Sequence, residues 1–166
     1  MPISSKIDKP FVPKFAIIIL CLVTIVLFCH MAYKRYELHM ITNETKELVI
    51  SAETASAEAR YSDAAMSYLN VLQIYQLHYP PYDVKVLNLH DKVGELYIRA
   101  RQKEEAFHIL MAAYQNIAKI TDKNRTVVAS IALKLKLLLE AGVETQLTQA
   151  EKTHILELAK QARNRK

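Results

Sequence analysis

The sequence predicts an all-α protein that carries one membrane-spanning helix near its N-terminus. Three observations predict this fold class: an apolar run close to the start, helical periodicity from residue 42 onward, and only two glycines among 166 residues. Tight hairpins and phosphate-binding loops both need glycine. Its scarcity therefore disfavours β-rich folds and nucleotide-binding loops. Hydrophobic residues make up 51% of the chain, which indicates a folded rather than a disordered protein.

The apolar run covers residues 15–33 and reads FAIIILCLVTIVLFCHMAY. At a rise of about 1.5 Å per residue, a helix of this length spans roughly 28 Å, close to the hydrocarbon core of a bilayer. A cleaved signal peptide is the main alternative, but the run is long for one, and small residues suited to cleavage are sparse after it. The predicted organisation is a basic N-terminal segment at 1–14, a transmembrane helix at 15–33, a juxtamembrane linker at 34–41 and a helical domain at 42–166.

The net charge of the chain is +5, with the basic excess near its two ends. Nucleic-acid binding is one interpretation of such a balance, but no nucleic-acid-binding motif accompanies the charge. We therefore expect the excess to reflect membrane topology and solvation. The two cysteines, Cys21 and Cys29, both lie in the apolar run. The helical domain can therefore form neither a disulfide nor a thiolate metal site.

The pattern of apolar residues predicts six helices in the domain, arranged as three hairpins. The prolines of HYPPY at 78–82 separate the second helix from the third. The segment 61–63 is a turn and N-cap signal, Gly142 is a C-cap signal, and residues 148–151 fit a capping box. The expected helices cover about 42–60, 63–77, 83–100, 104–120 and 121–141, and a sixth begins at 148.

The strongest pattern in the chain lies at 87–118, LNLHDKVGELYIRARQKEEAFHILMAAYQNIA. Small residues and one tyrosine recur there at intervals of 3, 9 and 7 residues: Gly94, Tyr97, Ala106 and Ala113. This spacing resembles the tetratricopeptide repeat, although His90 stands where that family usually has a larger aromatic residue. Close packing explains the pattern, because small residues let two helices approach while Tyr97 and Leu110 fill the space beside them.

A weaker copy of the repeat lies 42 residues upstream, where Ala64 corresponds to Ala106. The usual period of the family is about 34 residues, and the HYPPY break accounts for the extra length. A third helix pair, over about 122–163, lacks the small residues, and we expect it to be a terminal cap with a polar outer face. The resemblance therefore implies a tetratricopeptide-like α-solenoid of about three helical hairpins.

Among membrane-anchored members of this repeat family, the arrangement looks most like the fungal adaptors of the mitochondrial inner-membrane AAA protease. The resemblance implies an adaptor that recruits a protein substrate or partner to a membrane complex. It also implies a single pass through the mitochondrial inner membrane, with the domain facing the intermembrane space. The alternative is a structural or assembly subunit of a mitochondrial or endoplasmic-reticulum membrane complex. Two Asn-x-Thr triplets, at Asn43 and Asn124, would matter only in the secretory lumen.

In this repeat family the first helix of each hairpin usually lines a concave face. The resemblance therefore implies a partner-binding groove formed by eight residues: Lys46, Val49, Glu53, Asn88, Asp91, Lys92, Glu95 and Arg99. Ile50 is expected on the same face. The alternative is an ordinary solvated surface with i,i+4 pairs such as Glu95 with Arg99. Val49 and Glu53 replace the lysine and asparagine of chaperone-binding repeats, so a chaperone C-terminus is not the expected partner.

No catalytic, cofactor or metal site is predicted. The chain has no recognisable nucleophile motif or Gly-rich loop, and its histidines lack metal-ligand spacing. We therefore do not expect an enzyme, a small-molecule substrate or a nucleic-acid partner. Four tyrosines recur every seven residues, which favours core packing over an exposed aromatic strip: Tyr61, Tyr68, Tyr75 and Tyr82.

Overall fold

The computed structural model describes residues 14–117, 121, 123–143 and 147–163. Over these residues the protein consists of six α-helices that pack in sequence, which confirms the predicted all-α class. The helices are α1 (Lys14–Ala57), α2 (Tyr61–His78), α3 (Val84–Arg99), α4 (Lys103–Gln115), α5 (Arg125–Glu140) and α6 (Gln149–Arg163). Two predicted features lie outside the described residues: the basic segment before Lys14 and the end of the fourth helix at 118–120. The fifth helix was expected from residue 121 but begins at Arg125.

Helix α1 is 44 residues long, and no glycine or proline interrupts it. The segment 34–41, predicted to be a juxtamembrane linker, is part of this helix. Among the described residues, α1 is the one helix long and apolar enough to cross a membrane, and its apolar window is exposed. A signal sequence passes the same test. The chain divides into two compact units, Met1–Met40 and Ile41–Lys166, and we call the second the helical unit.

Three helix ends in the helical unit share one turn, the Schellman motif, in which a backbone N–H reaches back five residues to a helical carbonyl. The N···O pairs are Arg60 to Ala55 at 2.9 Å, Gln102 to Tyr97 at 2.9 Å, and Val143 to Leu138 at 3.2 Å. The left-handed residues of these turns are Ala59, Arg101 and Gly142, with φ of 58°, 63° and 78°. Because the turns recur at spacings of 42 and 41 residues, the backbone repeats three times.

The predicted C-cap at Gly142 is confirmed, whereas the predicted turn at 61–63 is wrong. The chain turns at 58–60, and α2 already begins at Tyr61. Asp63 does not cap the helix, because its carboxylate accepts a hydrogen bond from Arg60 at 2.7 Å. The sequence predicts this turn three residues too late, because an alanine, Ala59, takes the left-handed position that glycine usually occupies.

The helices of the second hairpin, α3 and α4, approach closely at Gly94. A Cβ atom built there would lie 2.5 Å from Cγ of Leu110, so only glycine fits without rearrangement. Ala106, on the facing helix, is fully buried. These contacts agree with the predicted register of the hairpin. In α5 the position that corresponds to Gly94 is taken by Leu135, which is also fully buried.

The third hairpin, α5 and α6, begins its second helix with the predicted capping box. The Glu151 N–H donates to Oγ1 of Thr148 at 3.3 Å, and the Thr148 N–H donates to Oε2 of Glu151 at 2.8 Å. The exposed residues of α6 are mostly polar, in line with the predicted polar outer face, although Leu156 is exposed there as well. On α5, Leu133 and Leu137 are exposed.

Candidate protein-binding face

Helices α1, α3 and α5 can be compared residue by residue through their shared turn. Nine residues before each left-handed residue stand Ile50, Lys92 and Leu133, and all three are exposed. One helical turn earlier, Lys46 and Asn88 are exposed as well. We use the name open face for eight of the exposed residues on these three helices: Lys46, Ile50, Glu53, Asn88, Lys92, Arg99, Leu133 and Leu137.

Five of the eight predicted groove residues therefore lie on the open face. The other three are partly buried: Val49 packs against the hydrophobic core, and Asp91 and Glu95 contact α5. The pattern of exposure has a simple cause. A position that faces the next helix of the repeat is covered by that helix. The sequence pattern alone does not distinguish such covered positions from exposed positions nearby on the same helix.

Asp91 joins α3 to α5. Its carboxylate accepts hydrogen bonds from Oγ of Ser130 at 2.9 and 3.0 Å and from Nζ of Lys134 at 2.8 Å. Lys134 also donates to the Asp91 carbonyl at 3.2 Å and lies 3.6 Å from Glu95. These donors and acceptors hold the two helices side by side.

Glu95 connects this cluster to the open face through Arg99, whose Nη2 lies 2.6 Å from Oε1 of the carboxylate. Burial alone would raise the pKa of Glu95, but the nearby charges of Lys134 and Arg99 together lower it. The carboxylate is therefore ionised at neutral pH and holds the guanidinium. That guanidinium lies 5.8 Å from the ring centroid of Tyr61, which adds a cation–π contact to α2.

Tyr68 brings α1 and α3 together on the same surface. Lys92 places its ammonium 5.9 Å from the centroid of the Tyr68 ring. Burial, followed by the charge of Glu53, raises the pKa of the Tyr68 phenol. One cation from α3 and one anion from α1 thus act on one tyrosine between the helices. Tyr68 is buried, Tyr61 and Tyr75 are half-buried and Tyr82 is exposed, so the core prediction for these tyrosines holds fully for Tyr68 alone.

The apolar part of the open face was missed by sequence reasoning. Leu137 is 61% exposed and Leu133 is 37% exposed, one helical turn apart on α5. The third hairpin had been interpreted as a polar cap because it lacks the small residues of the repeat. A signal was present in KLKLLLE at 134–140, since four leucines there and one before them exceed what a single buried helix face can hold.

His90 illustrates a residue that belongs to the core rather than to a site. Its Nδ1 donates to the carbonyl of Ile109 at 3.1 Å, so the other ring nitrogen, Nε2, accepts from Nε2 of Gln76 at 3.3 Å. Burial lowers the pKa of the imidazole despite the hydrogen bond to Ile109. The ring is neutral and links three helices, as expected for a structural histidine.

The remaining chemistry of the described residues is limited. Within the described ranges, no group of three or more His, Cys, Asp or Glu side chains could hold a metal ion. A shallow cleft of about 500 Å³ lies between the first two turns, at 59–63 and 99–101. Its charged groups are largely engaged already, because Arg60 pairs with Glu58 and Asp63. The cleft therefore offers less free binding capacity than the open face.

The chain has been compared with known protein families and with curated proteins. No family model matches it, and no curated protein matches its sequence. Over the described residues, the structure is that of an all-α protein with six sequentially packed helices, one of which is a candidate membrane helix. Its function is accordingly inferred from its own residues.

Proposed function

We propose that this protein is a membrane-anchored adaptor that recruits another protein through a tetratricopeptide-like helical unit. The observation that carries the proposal is the open face, where apolar side chains lie beside unburied cations. Ile50, Leu133 and Leu137 are exposed aliphatic side chains, and Lys46 and Lys92 are exposed on the same face. Exposed apolar side chains grouped with polar ones are typical of protein-binding surfaces.

The expected ligand of the open face is an amphipathic helix or an extended segment. Helical grooves commonly bind such segments through a few apolar anchors, with charged side chains at the edge setting orientation. The apolar anchors of the partner are expected near α5, where Leu133 and Leu137 lie one turn apart. Carboxylates of the partner are expected near Lys92 and Lys46.

The open face can be tested by substitution in the full-length chain. Leu137→Ser together with Lys92→Glu removes one apolar anchor and reverses one charge, and should release co-purifying partner protein from detergent extracts. The matched control is Leu156→Ser, which changes an exposed leucine of α6 outside the face. Glu95 is unsuitable for this test, because its replacement would also disturb the contact with Lys134. Equal partner recovery from both variants would reject the open face as the binding site.

The same extracts separate an adaptor from a permanent structural subunit. An adaptor is expected partly free and partly bound on a native gel, because recruitment is reversible. A structural or assembly subunit would migrate wholly with one complex.

The anchor in this proposal is the segment 15–33, retained in the mature protein. The side chains that the structure describes in this segment are exposed, and its sequence is almost wholly apolar, as required for contact with lipid. Carbonate extraction should leave the full-length chain in the membrane pellet. A mature protein that lacks residues 1–33 would instead identify a signal peptide.

The proposed location is the mitochondrial inner membrane, with the helical unit in the intermembrane space, and the endoplasmic reticulum is the alternative. Fluorescence of a C-terminally tagged chain, followed by protease protection in intact mitochondria and mitoplasts, distinguishes the two. A glycan on Asn124 is not a suitable marker of the alternative. That side chain is buried, and its Oδ1 accepts a hydrogen bond from the Thr121 N–H at 2.7 Å.

A further inference from the structure

The connection between α2 and α3 exposes an unusual cluster of apolar side chains. Leu77 is 83% exposed, slightly more than Phe15 in the apolar part of α1, which is 79% exposed. Tyr82 is 58% exposed, and Pro80 and Pro81 between them are exposed as well. We call residues 77–82 the proline tip. None of these four side chains contributes to the hydrophobic core, so their apolar character needs another explanation.

The proline tip is a structured element. Asp83 caps α3, because its carboxylate accepts a hydrogen bond from the Lys85 N–H at 2.8 Å. This carboxylate, which follows the tip directly in the sequence, is therefore already engaged. Lys85 donates from Nζ to the Tyr79 hydroxyl at 3.0 Å and lies 4.3 Å from that ring's centroid. The Tyr79 ring in turn lies 5.4 Å from the ring of Tyr75. These contacts present Leu77 and Tyr82 outward on a fixed turn.

The topology of the helical unit determines which end carries the tip. The last part of α1 and α2 form an antiparallel hairpin, since alanines on both sides of the turn at 58–60 belong to one core cluster. Residues 41–57 of α1 and the 18 residues of α2 have nearly equal lengths of about 26 and 27 Å. The tip therefore lies at the same end of the helical unit as Ile41, where the chain enters it.

Chain connectivity sets an upper bound on the distance between Ile41 and the proposed membrane segment. Residues 34–40 connect the proposed membrane segment to the helical unit, and even fully extended they reach at most about 25 Å. A lipid surface is therefore within reach of the tip. Its composition suits that surface, because tyrosine favours the boundary between headgroups and acyl chains and an exposed leucine can be buried among the acyl chains.

We infer that the proline tip inserts Leu77 and Tyr82 into the interfacial layer of the bilayer that holds the anchor. The ligand class is a phospholipid surface, and the contact gives the helical unit a second attachment to the membrane. The inference rests on the proposed anchor, because the short tether is what brings the tip to the lipid. Several exposed apolar groups acting together with a tether bind far better than the same groups on a free protein.

The absence of tryptophan from the sequence permits a direct test. Leu77→Trp and, separately, the conservative Tyr82→Trp each give a full-length chain with one fluorescent reporter. Each variant is reconstituted into phosphatidylcholine vesicles with or without brominated acyl chains, which quench tryptophan on contact. Both tryptophans should be quenched by the brominated lipid. Both should also emit at a shorter wavelength than free indole in buffer. Retained helical circular dichroism identifies the folded preparations.

Two further single-tryptophan variants make the outcome decisive. Glu104→Trp, exposed in the first turn of α4 at the opposite end of the helical unit, should remain unquenched. Phe28→Trp, within the apolar run, should be quenched strongly. If Phe28→Trp were unquenched, the anchor itself would be rejected, together with the inference. If Phe28→Trp were quenched while Leu77→Trp and Tyr82→Trp were quenched no more than Glu104→Trp, the tip inference alone would be overturned.

Discussion

The second and third hairpins have the same turn motif but differ in the residues around it. At the closest approach of the second hairpin stands Gly94, and at the corresponding place in the third stands Leu135. The left-handed turn residue is Arg101 in one and Gly142 in the other. The difference indicates that the backbone repeat depends on helix length and turn geometry. Small residues are needed only where two helices come close enough to exclude a side chain.

The two hairpins also differ in what they expose. On the open face, α3 presents Asn88 and Lys92, whereas α5 presents Leu133 and Leu137. The character of the face therefore changes from polar to apolar between α3 and α5. A partner segment is expected to bind in one direction, because reversing it would place its apolar anchors beside Lys92.

The largest expected effect is at Gly94. Gly94→Leu introduces into α3 the residue that α5 accommodates, but here its Cβ alone would meet Leu110 at 2.5 Å. We expect the free energy of unfolding of the helical unit to fall by about 3 kcal/mol or more, at the upper end of overpacking effects. Thermal or urea unfolding of residues 41–166 measures it.

Ala106→Leu serves as a milder companion variant, with an expected loss of about 1–3 kcal/mol. Glu104→Gln, two residues earlier and exposed, is the matched control and should change stability little. Neutral behaviour of both Gly94→Leu and Ala106→Leu would mean that the hairpin register described here is wrong.

The second prediction concerns the ion pair that sets α3 beside α5. The side chains of Lys134 and Asp91 are 17% and 19% exposed, so solvent screens their interaction only in part. A double-mutant cycle with Asp91→Asn and Lys134→Met should give a coupling energy of about 1 kcal/mol. The corresponding cycle for the more exposed pair of Lys136 with Glu140, 3.5 Å apart, should give less than about 0.5 kcal/mol. Equal couplings would contradict a special role for Asp91.

The third prediction is a pH dependence that arises from His90. Burial lowers the pKa of the folded imidazole below its ordinary value of 6.5, so the unfolded chain binds the proton more readily. The stability contributed by the neutral ring is present above pH 6.5 and is lost as the pH falls below it. His90→Phe, which restores the aromatic usual in the repeat, should flatten the stability curve between pH 7.5 and pH 5.5, roughly one unit on either side of the ordinary value. An unchanged slope would assign the pH dependence to other groups.

Most of the fold could be predicted from the sequence, because it depends on local signals. The HYPPY break, the capping box at Thr148 and the spacing around Gly94 each specify one element without reference to the rest of the molecule. The turn at Ala59 was misplaced, since a left-handed alanine leaves no mark in the sequence. The face was predicted less completely: whether Asp91 is open or covered depends on Lys134, 43 residues later, and such pairings follow from packing rather than from periodicity.

A further prediction compares the turns themselves. Arg101→Gly should stabilise the helical unit by about 0.5 kcal/mol, because glycine relieves the left-handed strain but loses more conformational entropy on folding. Gly142→Ala should destabilise it by about 1 kcal/mol through backbone strain, since no atom of the described residues lies within 4 Å of the added Cβ. The two changes should therefore differ in sign; the same sign for both would show that the turns are not equivalent.

Photo-crosslinking in intact membranes shows directly whether the open face binds a protein partner. A photoreactive residue is placed at Leu133 or at Leu156, two leucines that are each 37% exposed but lie on α5 and α6 respectively. If a partner binds the open face, position 133 should give a discrete crosslinked product, and Lys92→Glu should weaken it. Position 156 should give no such product. Equal products from both positions, or a product from position 156 alone, would contradict binding at the open face.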